Sequence, residues 1–187
     1  GAGLHRGGNG IHTGYRFLRE GQVSIHDDRW LTHPWGVKGG LPGARSSKIL
    51  ERADGTRTVL PAKCDRVKVV PGDILHFRTW GGGGWGDPFA RPPEKVLEEV
   101  EGGLATIEGA MRYGVVILEA DGDFSIDAGA SKTLRKTMIA ERGDDIPLFN
   151  KGGALSELIA RCEEETGLTP PSPPVFPSWV QRDLAAE

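Results

Sequence analysis

The chain has 187 residues, of which 26% are charged, and a formal net charge of -3 at pH 7. This length suits one domain or two small ones, and the near balance of charge excludes a disordered polyelectrolyte and argues against a general nucleic-acid binder. No run of about 18 apolar residues is present, so we expect no membrane span, and two cysteines are too few for a disulfide framework, which fits the cytoplasm.

Residues 1–90 are predicted to form short antiparallel β-strands joined by glycine-rich loops. Large side chains alternate over 11–18, as a half-buried strand requires. Two turn sequences, Asp54-Gly55 and Pro71-Gly72-Asp73, each separate two strand-like runs. We therefore expect a meander of strands in this half. The other predicted strands cover 23–25, 50–52, 56–59, 66–70 and 74–80.

Residues 91–169 are predicted to be mainly helical, which makes the fold class α+β, with strands first and helices later. Pro92-Pro93 opens a helix, and Thr106 and Asp127 are N-cap residues of two more. Residues 170–187 are a proline-rich, extended tail. The remaining elements are a hairpin at Asp121-Gly122 and a helix over 154–166 that buries Leu155, Leu158, Ile159 and Cys162.

The glycine run 81–84, followed by Trp85, has two interpretations. Its amides could cradle a phosphate, but no Lys-Ser/Thr follows and no strand–loop–helix unit surrounds it. We favour a tight loop where two backbones approach closely, with Trp85 as an apolar plug. Four tryptophans are expected to form a small core under the loops, the alternative being a ligand pocket: Trp30, Trp35, Trp80 and Trp85.

Arg6 and Asn9 are the predicted binding residues. They stand among glycines near the start of the chain, where Arg6 could clamp a carboxylate or phosphate and Asn9 could orient a carbonyl group. The alternative is a turn in which Asn and Gly adopt positive φ angles.

No metal site and no catalytic residue are predicted. The group His26, Asp27, Asp28 and His33 follows no ligand spacing, and Asp28 is expected to pair with Arg29. Neither cysteine has the surroundings of an activated nucleophile. Two further sets of residues show no catalytic partner: Ser46 and Ser47, which lack an evident base, and His5, His12 and His76.

Short motifs occur in a fixed order along nearly the whole chain. They are Arg6-Gly7-Gly8-Asn9-Gly10, Tyr15-Arg16-Phe17, Asp28-Arg29, Pro34-Trp35-Gly36, Gly39-Gly40-x-Pro42-Gly43, Leu60-Pro61-x-Lys63, Pro71-Gly72-Asp73, Gly81 to Pro88, Tyr113-Gly114-Val115-Val116, Arg161-Cys162, Glu165-Thr166-Gly167-Leu168 and Pro173-Pro174-Val175-Phe176. In this order they resemble the hydantoinase B/5-oxoprolinase family.

The resemblance implies the C-terminal part of a much longer subunit, whose upstream catalytic portion is not in this sequence. Such subunits act with a hydantoinase A-like partner that handles ATP, and together they open cyclic amides such as hydantoins or 5-oxoproline. We therefore expect ATP and Mg²⁺ on the partner subunit, any metal upstream of this region, none within this chain, and a small-molecule substrate.

Two alternatives stay open beside a cyclic-amide hydrolase. Related acetone and acetophenone carboxylases use similar subunits to join a ketone to bicarbonate. A non-catalytic scaffold that docks the larger subunits is the other interpretation. The chain begins at Gly1 and not at methionine, so a fragment, a processed chain and a separate small subunit are all retained as origins.

Overall fold

The computed structural model describes residues 1–144 and 146–170, and it confirms the predicted α+β class. The strands of the first half are β1 His12–Arg16, β2 Gly21–His26, β3 Gly36–Val37, β4 Ser47–Glu51, β5 Arg57–Val59, β6 Lys63–Val69 and β7 Ile74–Arg78. The second half contains α1 Pro93–Glu101, α2 Ile107–Ala110, β8 Ile117–Ala120, β9 Asp123–Ile126, α3 Ala128–Arg142, β10 Phe149–Asn150 and α4 Leu155–Thr166.

Two separate sheets replace the predicted meander. Antiparallel strands in the order β1-β7-β4-β5 form the larger sheet, and β2 pairs with β6 in a smaller one. The turn at 71–73 forms as predicted, with Gly72 at a φ of 94°. It joins β6 to β7, however, so the chain changes sheets there and the meander prediction is wrong. The two sheets pack together because each has an apolar face to bury.

The first apolar core lies between these two sheets. Leu50 of β4 is directly opposite Leu75 of β7, and both are buried. Since side chains alternate along a strand, the neighbouring residues Ile49 and His76 lie on the outer face of the larger sheet. The buried members of this core are Ile25, Leu50, Leu60, Val69 and Leu75.

Asp73 joins the 71–73 turn to the end of β4. Its buried carboxylate accepts hydrogen bonds from the backbone N–H of Val70 (3.0 Å) and of Ala53 (3.1 Å), and from Arg52 (2.8 Å). The bond from Val70, followed by those from Arg52 and Ala53, holds the pKa of Asp73 below its ordinary value.

The second apolar core belongs to the helical half. The predicted caps are confirmed: the Thr106 side chain accepts from Gly109 N–H at 3.0 Å, and the Asp127 side chain from Ala130 N–H at 2.8 Å. The N-terminal segment contributes Ala2 to this core, so the two halves of the chain share contacts. Its buried residues are Ala2, Val96, Val100, Ala110, Tyr113, Val115 and Ile117.

Helix α4 buries Leu158 and Cys162 as predicted, but the prediction for Leu155 is wrong. Leu155 is half exposed because the first turn of the helix is uncovered by the described residues. Within 1–144 and 146–170, no helix has the length and apolarity that crossing a membrane requires. The predicted tail at 170–187 lies, after Pro170, outside the described residues.

Candidate functional site

Three segments, 1–10, 36–43 and 81–84, pack against one another through their backbones; we call them the glycine core. A Cβ atom added to Gly83 would lie 1.7 Å from the carbonyl oxygen of Trp35, so only glycine fits there. The close approach of two backbones predicted for 81–84 is therefore confirmed.

The amides of the glycine run are engaged within the glycine core. Because they already donate to backbone carbonyl groups, they are not arranged to cradle a phosphate. The three bonds run from Gly81 N–H to Ala44 (3.2 Å), from Gly82 N–H to Gly8 (2.8 Å) and from Gly84 N–H to Leu41 (2.9 Å).

The tryptophans do not form the predicted small core. Trp30 is 3% exposed, but Trp35, Trp80 and Trp85 are 46%, 43% and 43% exposed. Trp85 is therefore not an apolar plug. The backbones of the glycine core touch directly and leave no room for a ring between them, so these three side chains lie at the surface. Trp85 packs there against His5, with ring centroids 5.4 Å apart.

Arg6 and Asn9, the predicted binding residues, lie side by side. Arg6 Nη1 donates to Asn9 Oδ1 at 2.7 Å, and Arg6 Nε donates to Glu99 of α1 at 2.9 Å. Asn9 Nδ2 donates to the carbonyl oxygen of Leu104 at 2.8 Å. Both residues line a cleft of about 340 Å³ that also borders α2. These contacts fix the N-terminal segment against the helical half; a role in ligand binding stays a prediction.

A larger cavity of about 600 Å³ lies on the outer face of the larger sheet, and we call it the sheet-face cavity. Ile49 and Val59, which are directly opposite in the β4–β5 pairing, form its apolar floor. Trp30 and the last residues of α4 form its sides. The cavity is thus built from both halves of the chain.

One polar row crosses the sheet-face cavity. Arg78 on β7 is directly opposite His12 on β1 and directly opposite Ser47 on β4. Directly paired residues of antiparallel strands share a face, and all three line the cavity. Arg78 forms no ion pair with any residue of 1–144 or 146–170. No motif in the sequence singles out these three residues as a set.

Arg45, at the rim of the cavity, is already paired. It forms an ion pair with Glu165 of α4 and donates to the carbonyl oxygen of Trp30 at 3.2 Å. The charged lining is therefore two arginines and one glutamate, a formal charge of +1 when the imidazoles are neutral.

His12 and His76, which showed no partner in the sequence, are neighbours on the sheet. His12 Nε2 lies 3.3 Å from His76 Nδ1, and His76 Nε2 lies 3.4 Å from a carboxylate oxygen of Glu51. Strand alternation places each residue on one face, but only the β1–β7–β4 register brings the three together.

Ser46 contacts two charged side chains, contrary to the expectation that it has no base nearby. It donates to Asp27, and Lys48 donates both to Asp27 and to Ser46, the latter at 3.2 Å. Asp27 and Lys48 are 4% and 0% exposed. This burial favours a structural ion pair, in which the ammonium group compensates a carboxylate removed from water.

The residues weighed as metal ligands have other partners. His26 pairs with Asp65 at 3.3 Å, and Asp28 pairs with Lys63 at 3.5 Å and not with Arg29 as predicted. The β2–β6 pairing brings these partners together. In the described part of the chain, no group of three His, Cys, Asp or Glu residues could hold a metal ion. Burial raises the pKa of the Cys64 thiol, which disfavours its nucleophilic form.

Comparison with known proteins identifies the family. Residues 1–88 match the family model for hydantoinase B/oxoprolinase. An uncharacterized protein of Methanocaldococcus jannaschii is 39% identical over 136 residues, which cover 72% of this chain and 24% of that protein. The B-type polypeptide of a putative D-/L-hydantoinase from a Pseudomonas species is 33% identical over 136 residues, covering 72% and 22%. The predicted family is confirmed: residues 1–88 belong to the hydantoinase B/oxoprolinase family.

A solved structure gives the same result. The crystal structure of the ATP-dependent caprolactamase from Pseudomonas jessenii matches with a TM-score of 0.60 at 28% identity, over 72% of this chain and 24% of that one. The chain spans about a quarter of the length of the relatives that it matches. His12, Ser47 and Arg78 all fall within the matched residues 1–88.

Proposed function

We propose that the chain is the C-terminal part, or a small subunit, of an ATP-dependent cyclic-amide hydrolase of the hydantoinase or 5-oxoprolinase type. The family match over residues 1–88 carries this proposal. The names of two relatives add to it, since one is part of a putative hydantoinase and the other is an ATP-dependent caprolactamase. Hydantoins and caprolactam are both ring amides.

A hydantoinase A-like partner would handle ATP and Mg²⁺. Phosphoryl transfer from ATP to the amide oxygen supplies a leaving group on an otherwise unreactive ring carbon. The glycine run at 81–84 does not fit the phosphates, because three of its amides donate to backbone carbonyls. The chain's own contribution is binding and positioning, in the cytoplasm, together with the rest of the hydantoinase B-like subunit.

Arg6 and Asn9 would make the substrate or interface contacts at the 340 Å³ cleft. The proposal predicts that Arg6→Ala lowers turnover of the complete complex and leaves the fold intact, since Glu99 keeps its bond from Arg91 at 2.7 Å. Arg19→Ala is the matched control, because Arg19 is exposed and lies outside the cleft. Unchanged kinetics for Arg6→Ala would remove Arg6 from the site.

Reconstitution tests the function itself. The chain, the rest of the hydantoinase B-like polypeptide and the hydantoinase A-like partner are combined, and ATP-coupled opening of hydantoin, 5-oxoproline and caprolactam is measured with and without the chain. Loss of ring opening on omission is expected. ATP-dependent bicarbonate fixation onto acetone in place of ring opening would assign the carboxylase alternative.

A docking role has one observation in its favour. Trp35, Leu148 and Phe149 are 46%, 57% and 52% exposed, and the rings of Trp35 and Phe149 pack edge to face with centroids 5.8 Å apart. Such exposed aromatic residues are typical of protein interfaces. If the chain restored assembly and turnover while its polar cleft and cavity residues were dispensable, it would be a scaffold and not part of the active site.

A further inference from the structure

We propose that the sheet-face cavity binds the carboxylate group of a small organic acid, with Arg78 as its main ligand and Ser47 as a second donor. The site is defined by geometry on this chain alone. Hydrolysis of any cyclic amide creates a carboxylate, so identifying the acid as a reaction product rests on the proposed function.

The free charge of Arg78 is the first argument for an anion. Its neighbours in the row, His12 and Ser47, are a neutral or cationic ring and a hydroxyl group, and neither compensates the guanidinium charge. The acidic side chain in the cavity lining, Glu165, already pairs with Arg45. An arginine left without a carboxylate in a cavity offers two parallel N–H groups that match one planar carboxylate.

The apolar floor and the charge favour a monocarboxylic acid with an apolar body. Ile49 and Val59 lie beside the polar row, so a ligand held by Arg78 would set its hydrocarbon part against them. The formal lining charge of +1 matches a single negative charge better than the two of phosphate. The volume of about 600 Å³ is in the ordinary range for small-molecule sites.

The histidine pair borders this site without blocking it. His12 is tied through Nε2 to His76, so the ring is held at the side of Arg78 and not over it. Besides these two histidines, the ionisable groups on the same sheet face are Arg16, Glu51, Arg57 and Arg78.

Direct binding to the 187-residue chain tests the proposal. Hexanoate, hexanamide and inorganic phosphate are the probes, and dissociation constants are measured by NMR titration while the Arg78 Nε–H signal is followed. Hexanoate should bind at least about tenfold more tightly than hexanamide, because the amide lacks the charge that strengthens the hydrogen bonds. The Arg78 signal should move with hexanoate.

The variants localise the effect. Arg78→Gln should weaken hexanoate binding by about 10- to 100-fold, Arg78→Lys should keep part of it, and Arg16→Gln should leave it unchanged. Arg16 is the matched control because it lies exposed on the same face of β1 but outside the cavity. Circular dichroism checks the fold of each variant.

Several results would overturn the inference: no hexanoate binding to the wild-type chain, equal affinity for acid and amide, tighter binding of phosphate, or an Arg78→Gln variant that behaves like Arg16→Gln. If the assembled complex turns over but hexanoate does not bind here, only this inference fails. If hexanoate binds through Arg78 and no ring opening occurs in the complex, only the proposed function fails.

Discussion

Replacing Lys48 by methionine should destabilise the chain strongly through the carboxylate that it leaves behind. Lys48 donates to both Asp27 and Ser46, and Oδ1 of Asp27 has no donor among the described residues. The variant would therefore keep Asp27 buried with a single hydroxyl donor. Removing one partner of a buried ion pair costs about 3–5 kcal/mol. Methionine fills a similar volume, so no cavity adds to this loss.

Urea denaturation measures the effect as a change in the free energy of unfolding. The control is Lys63→Met, which breaks the exposed pair with Asp28 and should cost less than about 1 kcal/mol. The double variant Asp27→Leu/Lys48→Met removes both charges and should recover most of the loss. The reasoning is refuted if Lys48→Met costs no more than the control, or if the double variant is no more stable than Lys48→Met alone.

Three further predictions concern backbone packing, acid stability and helix capping. Gly83→Ala should destabilise by about 3 kcal/mol or more through its clash with Trp35, whereas Gly8→Ala, with nothing within 4 Å of the new Cβ, should fold normally by thermal melting. Asp73→Asn should flatten the acid limb: the lowered pKa of Asp73 stabilises the fold above about pH 4 and is lost below it, so equal acid limbs would contradict this. Asp127→Ala should cost about 1 kcal/mol in urea, and an unchanged midpoint would show that the cap is dispensable.

Local elements could be predicted because their signals lie within a few residues of one another. The Asp54-Gly55 hairpin, the Asp127 cap and the end of α4 at Gly167 all form as their sequences indicate. The order of strands could not be predicted, because β6 and β7 are adjacent in sequence and yet pair with different partners.

The same limit explains the candidate sites. Arg6 and Asn9 are three residues apart, so their proximity was readable from the sequence. Arg78 meets His12 and Ser47 only through strand register. A register depends on which apolar faces are buried together, and that is a property of the whole sheet.

The glycine core has a consequence for the order in which the molecule opens. Glycine loses more backbone freedom on folding than any other residue, and this region is joined by backbone hydrogen bonds between segments separated by dozens of residues. Contacts of this kind form only after long loops have closed. We therefore expect the amide hydrogens of Gly82 and Gly84 to exchange with solvent deuterium faster than those of Leu50 and Leu75. The glycine core would then be the last part to assemble and the first to separate, while the sheet beside it stays folded.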